Sequence, residues 1–358
     1  VEDSSGGDAS VEDQAAPDVI VDTGSDAPLF APGDKVLLSS DNPDHLDEDP
    51  SVLAAADGSL LIAYFSHRNG NPDLYVRRTT NGVDWTEARV TESPAGDYYP
   101  SLSQDSSGTF HITWFRWTAF QVGSIWHTSS TDALSWNVAD EAQVTNTPDV
   151  DDWIPTLAEA QNGDLVLTFA SQKRNPAAQS ELYLSRKPAG ATSWQAASPI
   201  TELGSPSEDD TLPIVTRVGD DLDLVWVRCA PGGAPPCLSG SADLWHATSS
   251  DDGASWTGAA AITSDAADTT ADTLASLYRD HAGAFSVIWI SAPAGTNGGA
   301  VEAPLASLAS PPVPNPAFEG YSPHAAPTPT PGVFLGAWVE QVSSDPNHKD
   351  VFYRFFSK

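Results

Sequence analysis

The sequence predicts an all-β chain, a six-bladed β-propeller of four-stranded antiparallel blades, closed by an N-terminal strand that completes the last blade. Three observations carry this. First, a short alternating segment ending in an aromatic residue recurs six times, at Tyr64, Trp114, Phe169, Trp226, Trp289 and Trp338. The successive spacings are 50, 55, 57, 63 and 49 residues, the length that one four-stranded unit needs. Second, a further strand follows each segment and again ends in an aromatic, at Tyr75, Trp126, Tyr183, Trp245 and Phe352, with Glu302 as the exception. Third, the chain ends directly after such a strand in the sixth unit, which leaves that unit without its outer strand. Residues 35–38 read as an outer strand with no unit before them. Pairing the two closes a ring and removes two exposed sheet edges.

Taken in order, residues 1–33 hold Asp, Glu, Ser, Gly, Ala and Pro and almost no aromatics. Such a segment buries too little apolar area to offset its ordering entropy, so it reads as a disordered acidic tether before a domain spanning residues 34–358. It resembles the stretch that follows the lipid-modified cysteine of a bacterial surface lipoprotein, which makes a lipid anchor an expectation. Outer strands follow at residues 89–91, 143–145, 199–201 and 261–263. The loops leading to the next inner strand carry D-x-x-P at Asp47–Pro50, Asp97–Pro100, Asp152–Pro155 and Asp210–Pro213, and Ala replaces Pro after Asp272.

Between the third and outer strands of the fourth unit lies Ser249-x-Asp251-x-Gly253-x-x-Trp256. Gly253 supplies the positive φ of a tight turn, Ser249 and Asp251 bond the turn's own amides, and Trp256 buries a ring under the hairpin. Read at the same offset, the turns ending at Trp85, Trp136 and Trp194 keep the tryptophan and little else. This pattern is the Asp-box, and the chain resembles the sialidase-like (BNR / Asp-box repeat) superfamily of six-bladed β-propellers over residues 34–358. The resemblance implies a site on the face carrying the D-x-x-P loops. Active sialidases clamp the substrate carboxylate with three arginines, the first in an R-I-P stretch. Here that stretch is Glu48-Asp49-Pro50, so the resemblance implies a fold without sialidase activity. The superfamily's Tyr–Glu nucleophile pair finds no assignable counterpart in the sequence.

The formal net charge of −33 argues against nucleic acid and anionic membrane surfaces as partners. No apolar run is long enough to span a bilayer. Cys229 and Cys237, the two cysteines, flank a Pro/Gly loop. They read as a disulfide of an oxidising compartment, or as two free thiols; they are too few for a zinc site. The candidate ligand residues are Asp47, Glu48, Asp97, Tyr98, Asp152, Trp153, Asp210 and Asp272, with Arg68 in a loop on the same face. Carboxylates accept bonds from hydroxyls, and aromatic faces pack on sugars. Two other readings stand beside this one: the aspartates cap their own loops, or they converge on calcium. No other cofactor is expected. The function favoured by these residues is a monomeric, extracellular or cell-surface protein that binds a glycan or partner protein without catalysis. The alternative is a glycoside hydrolase or lyase that uses the pore carboxylates.

Overall fold

The computed structural model describes residues 30–38, 46–119, 122–172, 180–200, 208–229, 242–263, 270–293, 296, 298–307, 312–342 and 348–358. Strand β1 (Val36–Leu37) is followed by β2 (Asp47–Ala54), β3 (Leu60–Ser66), β4 (Asp73–Thr79) and β5 (Thr86–Arg89). The second unit is β6 (Gly96–Gln104), β7 (Phe110–Ala119), β8 (Val122–Ser130) and β9 (Ala142–Gln143). The third is β10 (Asp151–Glu159), β11 (Leu165–Gln172), β12 (Glu181–Lys187) and β13 (Ser198–Pro199). Then come β14 (Asp209–Val218), β15 (Asp221–Cys229), β16 (Ala242–Ser249), β17 (Thr257–Ala261), β18 (Ala271–Arg279), β19 (Phe285–Ala292), β20 (Gly299–Pro304) and β21 (Val313–Pro314). The last three are β22 (Tyr321–Pro327), β23 (Val333–Gln341) and β24 (Lys349–Ser357).

Four sheets have four strands each: β2 to β5, β6 to β9, β10 to β13, and β1-β24-β23-β22. The fifth holds β14 to β21. Within it, two antiparallel groups are joined by one parallel bridge, Ala242 with Ala271. The pairing expected between the chain ends is present: Val36 lies opposite Tyr353 and Leu37 opposite Phe352. The Gly33 amide donates to Phe355 O at 3.0 Å and the Leu38 amide to Val351 O at 2.8 Å. Phe30 is buried against Phe355, so the docked segment begins inside the stretch expected to be a tether.

The recurring aromatics form the centre of the packing. Tyr64, Trp114, Phe169, Trp226, Trp289 and Trp338 are all buried to within 1% of full occlusion. They sit on second strands whose two faces both pack against neighbouring sheets, which explains the near-continuous burial of β3, β11 and β23. Strands β2, β6, β10, β14, β18 and β22 are neighbours in succession, and β22 also neighbours β2. Side chains tie these inner strands together. The Leu102 amide donates to Ser51 Oγ at 3.0 Å, the Val215 amide to Thr156 Oγ1 at 3.0 Å, and Ser276 Oγ to Pro323 O at 2.7 Å.

The turn bonding of the fourth unit recurs more widely than the fixed offset suggested. In the fourth unit, the Gly253 amide donates to Ser249 Oγ at 2.7 Å and the Ser255 amide to Asp251 Oδ1 at 2.8 Å. The second unit makes the same bonds from Ser130 and Asp132, with the amides of Ala133, Leu134 and Ser135 as donors. In the first unit Thr79 and Asn81 play these parts for Gly82, Val83 and Asp84. Both turns are one residue shorter than the fourth. Only one left-handed residue is needed there (Gly82, φ +76°; Ala133, φ +58°), whereas the fourth turn needs both Asp252 and Gly253.

Candidate functional site

Each inner strand opens with the same distortion. Asp49, Tyr99, Ile154, Leu212, Leu274 and Ser322 all have φ between +49° and +54°. The pairing with the second strand slips at each of them, for example between Glu48 and Ser51 and between Tyr321 and His324. A left-handed residue followed by Pro or Ala is a β-bulge that re-aims a side chain. These six residues together line one small axial cavity of about 90 Å³. The sixth copy, Gly320-Tyr321-Ser322-Pro323, escapes the D-x-x-P pattern because glycine stands in the place of aspartate. A Cβ on Gly320 would lie 1.9 Å from Val339 O. Below the bulges the axis widens into a cavity of about 750 Å³, which shares Ser51, Ser101, Thr156, Ile214, Ala275 and His324 with the first.

The predicted aspartates lie behind the bulges, turned into the sheets. Asp97 is buried and accepts the Trp114 indole N–H at 2.9 Å and two N–H groups of Arg116 at 2.6 and 2.9 Å. Asp210 repeats this with Trp226 at 2.9 Å and Arg228 at 2.7 and 2.9 Å. Arg116 and Arg228 each lie 4.3 Å over a tryptophan of the next strand, Trp126 and Trp245. Asp272 accepts from Trp289 at 2.9 Å. Where the third unit has Phe169, with no N–H to satisfy, Asp152 accepts instead from Ser171 Oγ at 2.5 Å. Asp47 is fully buried. Burial pushes the Asp97 and Asp210 carboxyls up in spite of their arginines. Arg68 is engaged by Glu87, Tyr64 and Ser66 at 2.7, 2.6 and 3.0 Å. Tyr98 and Trp153 are half-buried, Tyr98 stacked on Phe115 at 5.4 Å. Cys229 ends β15 and is buried; Cys237 and most of the expected tether lie outside the described residues. Among the described residues, no three His, Cys, Asp or Glu side chains are grouped to hold a metal ion, and no helix is long and apolar enough to cross a membrane.

Glu48, of the predicted set, faces a different environment. Its Oε1 accepts Tyr321 Oη–H at 2.8 Å and Lys349 Nζ–H at 2.5 Å. A Tyr–Glu pair therefore does exist, formed between the first and last inner strands, which the sequence alone did not bring together. Beside it stands Asp49, which sequence reasoning passed over. Enclosure by the channel wall pushes the Asp49 carboxyl well above the usual range. Glu48 pushes it further, and Lys349 opposes. The Tyr99 phenol is raised first by the Asp49 charge, then by burial and Glu48. The Tyr321 phenol is raised by burial, then by Glu48 and Asp49. Both phenols thus feel both carboxyls; of the four groups, Asp49 and Tyr99 line the axial cavity, and Glu48 and Tyr321 adjoin it in sequence. The signal in the sequence was the odd member of a repeated position: among the six bulge residues only Asp49 is ionisable as an acid of ordinary strength. The cluster thus sets a carboxyl whose protonation is favoured beside one that is paired with a cation.

No protein-family model and no curated protein matches the sequence. Solved structures do. The chain is similar to the α-L-arabinofuranosidase Arb93A of Fusarium graminearum, solved with an iminosugar inhibitor. The TM-score is 0.69 and the identity 16%, over 91% of this chain and 98% of that one. It is similar to the α-L-arabinanase of Penicillium chrysogenum complexed with arabinobiose, with TM-score 0.68 and identity 15% over 91% and 98% of the two chains. The architecture is a β-propeller. A Hadza microbial sialidase, Hz136, shares the propeller at TM-score 0.59 and 11% identity, over 87% of this chain and 66% of that one. These likenesses correct the expectation of a non-catalytic binding protein. These two neighbours, each matched over nine-tenths of this chain, are an arabinofuranosidase and an arabinanase, which speaks for the other reading of the sequence.

Proposed function

We propose that this protein is a glycoside hydrolase acting on neutral, arabinose-type glycans at the axial end of a six-bladed ring. The blade count rests on dividing the large sheet at its single parallel bridge. The observation that carries the activity is the pairing of two adjacent carboxyls in opposite settings. Asp49, enclosed and with its proton favoured, donates to the leaving-group oxygen. Glu48, braced by Lys349, supplies the negative charge that an oxocarbenium-like transition state needs, directly or through Tyr321 Oη. A neutral substrate fits better than sialic acid. The first arginine position is Glu48, and the cation nearest it, Lys349, already serves that carboxylate. An extracellular or cell-surface location fits a polysaccharide substrate and the net charge of −33.

The test is a panel of aryl α-L-arabinofuranosides, arabino-oligosaccharides and sialosides, assayed with the wild type, Asp49→Asn and Glu48→Gln. Turnover of arabinosides that falls by at least about 10²-fold in each variant supports the assignment, since a positioned acid or base contributes that much. A folded wild type inert on every arabinoside, or full activity in both variants, overturns it.

A further inference from the structure

Trp117, at the end of β7, is the one aromatic side chain among the described residues that is exposed, with 41% of its surface open. Aromatic rings connect it to the axial cluster. Tyr99, which senses the Asp49 charge, lies 5.6 Å from Phe115 in a stacked arrangement. Phe115 stacks in turn on Tyr98 at 5.4 Å. Trp117 stands at near right angles to both, 6.0 Å from Phe115 and 5.7 Å from Tyr98. The residue opposite Trp117 across the sheet is Gly96. A Cβ there would meet the Tyr98 ring at 2.7 Å, so the glycine makes room for that ring to fold back beneath the indole. The indole is therefore exposed and already packed in place, so little further ordering is needed when something stacks on it.

We infer that Trp117, supported by Tyr98 and Phe115, is a stacking subsite for a sugar ring of a neutral oligosaccharide chain, beyond the ring that is cleaved. Apolar sugar faces pack on aromatic surfaces, and Trp117 is the exposed end of a packed ring row that begins at Tyr99, beside Asp49 at the axial cavity. The subsite makes the protein selective for chains over single glycosides. It rests on the proposed site at Asp49 and Glu48 for its direction, but its occupancy can be measured without turnover.

Two measurements separate the two readings. The first is calorimetric titration of Asp49→Asn and of Asp49→Asn/Trp117→Ala with linear arabinotetraose and arabinobiose. The second is the ratio of kcat/KM for tetraose over biose in the wild type, Trp117→Ala and Trp117→Phe. Tetraose affinity about tenfold weaker without the indole, with biose affinity little changed, supports the subsite. So does a tetraose-to-biose ratio that falls about tenfold in Trp117→Ala and recovers in part in Trp117→Phe. Equal affinities and equal ratios in all variants overturn it, even where the wild type hydrolyses arabinosides. Binding that depends on Trp117 in a wild type without turnover leaves the subsite standing and removes the hydrolase reading. Absence of any binding and any turnover removes both.

Discussion

Replacing Asp97 by alanine tests whether the D-x-x-P aspartates hold the blades or the ligand. The change removes the acceptor of three hydrogen bonds, one from Trp114 and two from Arg116. The indole N–H is left fully buried without a partner, at a cost of about 1–3 kcal/mol. Arg116 keeps Glu141 at 2.9 Å, so the loss of its main partner falls toward the low end of the roughly 3–5 kcal/mol typical of a broken buried pair. A total near 4 kcal/mol follows. With about 2.1 cal/mol/K of unfolding entropy per residue over 358 residues, Tm drops by about 5 °C. Asp97→Asn, which keeps an acceptor for the indole, loses about half as much. Differential scanning calorimetry of the three proteins reads this directly, with activity measured on the folded fraction. A Tm within 1 °C of wild type, together with loss of activity, refutes the structural role and returns Asp97 to the ligand.

Two further perturbations address other parts of the fold. Gly82→Ala forces a residue at φ +76° to carry a Cβ that meets the Phe30 ring at 2.8 Å and Phe355 at 3.2 Å. It is expected to destabilise by about 2 kcal/mol and to speed hydrogen exchange at residues 33–38; unchanged exchange there contradicts the docking of β1. Stability is also expected to fall with acidification. Burial lowers the His324 pKa to about 4, below its unfolded value of about 6.5. Between these values the unfolded chain binds a proton that the native state refuses, so this histidine's stabilisation is present above pH 6.5 and is lost as pH falls toward 4. The upper limit is about 3 kcal/mol. Burial lowers His111 and His127 in the same direction. Denaturant titrations across this pH range check it, and a His324→Asn slope identical to wild type contradicts it.

The repeat was legible because each second strand carries, inside its span, a ring that must be buried, and such a constraint recurs visibly in sequence. The clasp of β1 on β24 was legible by counting, since one outer strand was missing and one was spare. The site was less so. The D-x-x-P pattern draws attention to the aspartate, but that side chain answers a need inside the sheet, the indole N–H of the second strand or the arginine two residues beyond it. The residue before the proline points to the axis, and its left-handed backbone cannot be read locally, because a residue preceding proline ordinarily prefers extended conformations. The meeting of Glu48 with Tyr321 and Lys349 depends on ring closure, which joins residues some 270 to 300 positions apart. The shortened turns of the first and second units escaped detection for a smaller reason. The turn chemistry survived a one-residue deletion that a fixed spacing does not tolerate.

In the proposed reaction Asp49 delivers the proton to the leaving group. The most direct measurement compares wild type with Asp49→Asn on aryl α-L-arabinofuranosides whose phenols span a wide range of acidity. Asparagine tolerates the left-handed backbone at φ +52° and cannot donate as an acid. The loss in kcat/KM is expected to be small for the most acidic phenol and to grow to about 10²–10⁴-fold for the least acidic one. A loss of the same size for every leaving group, or none at all, would contradict that role.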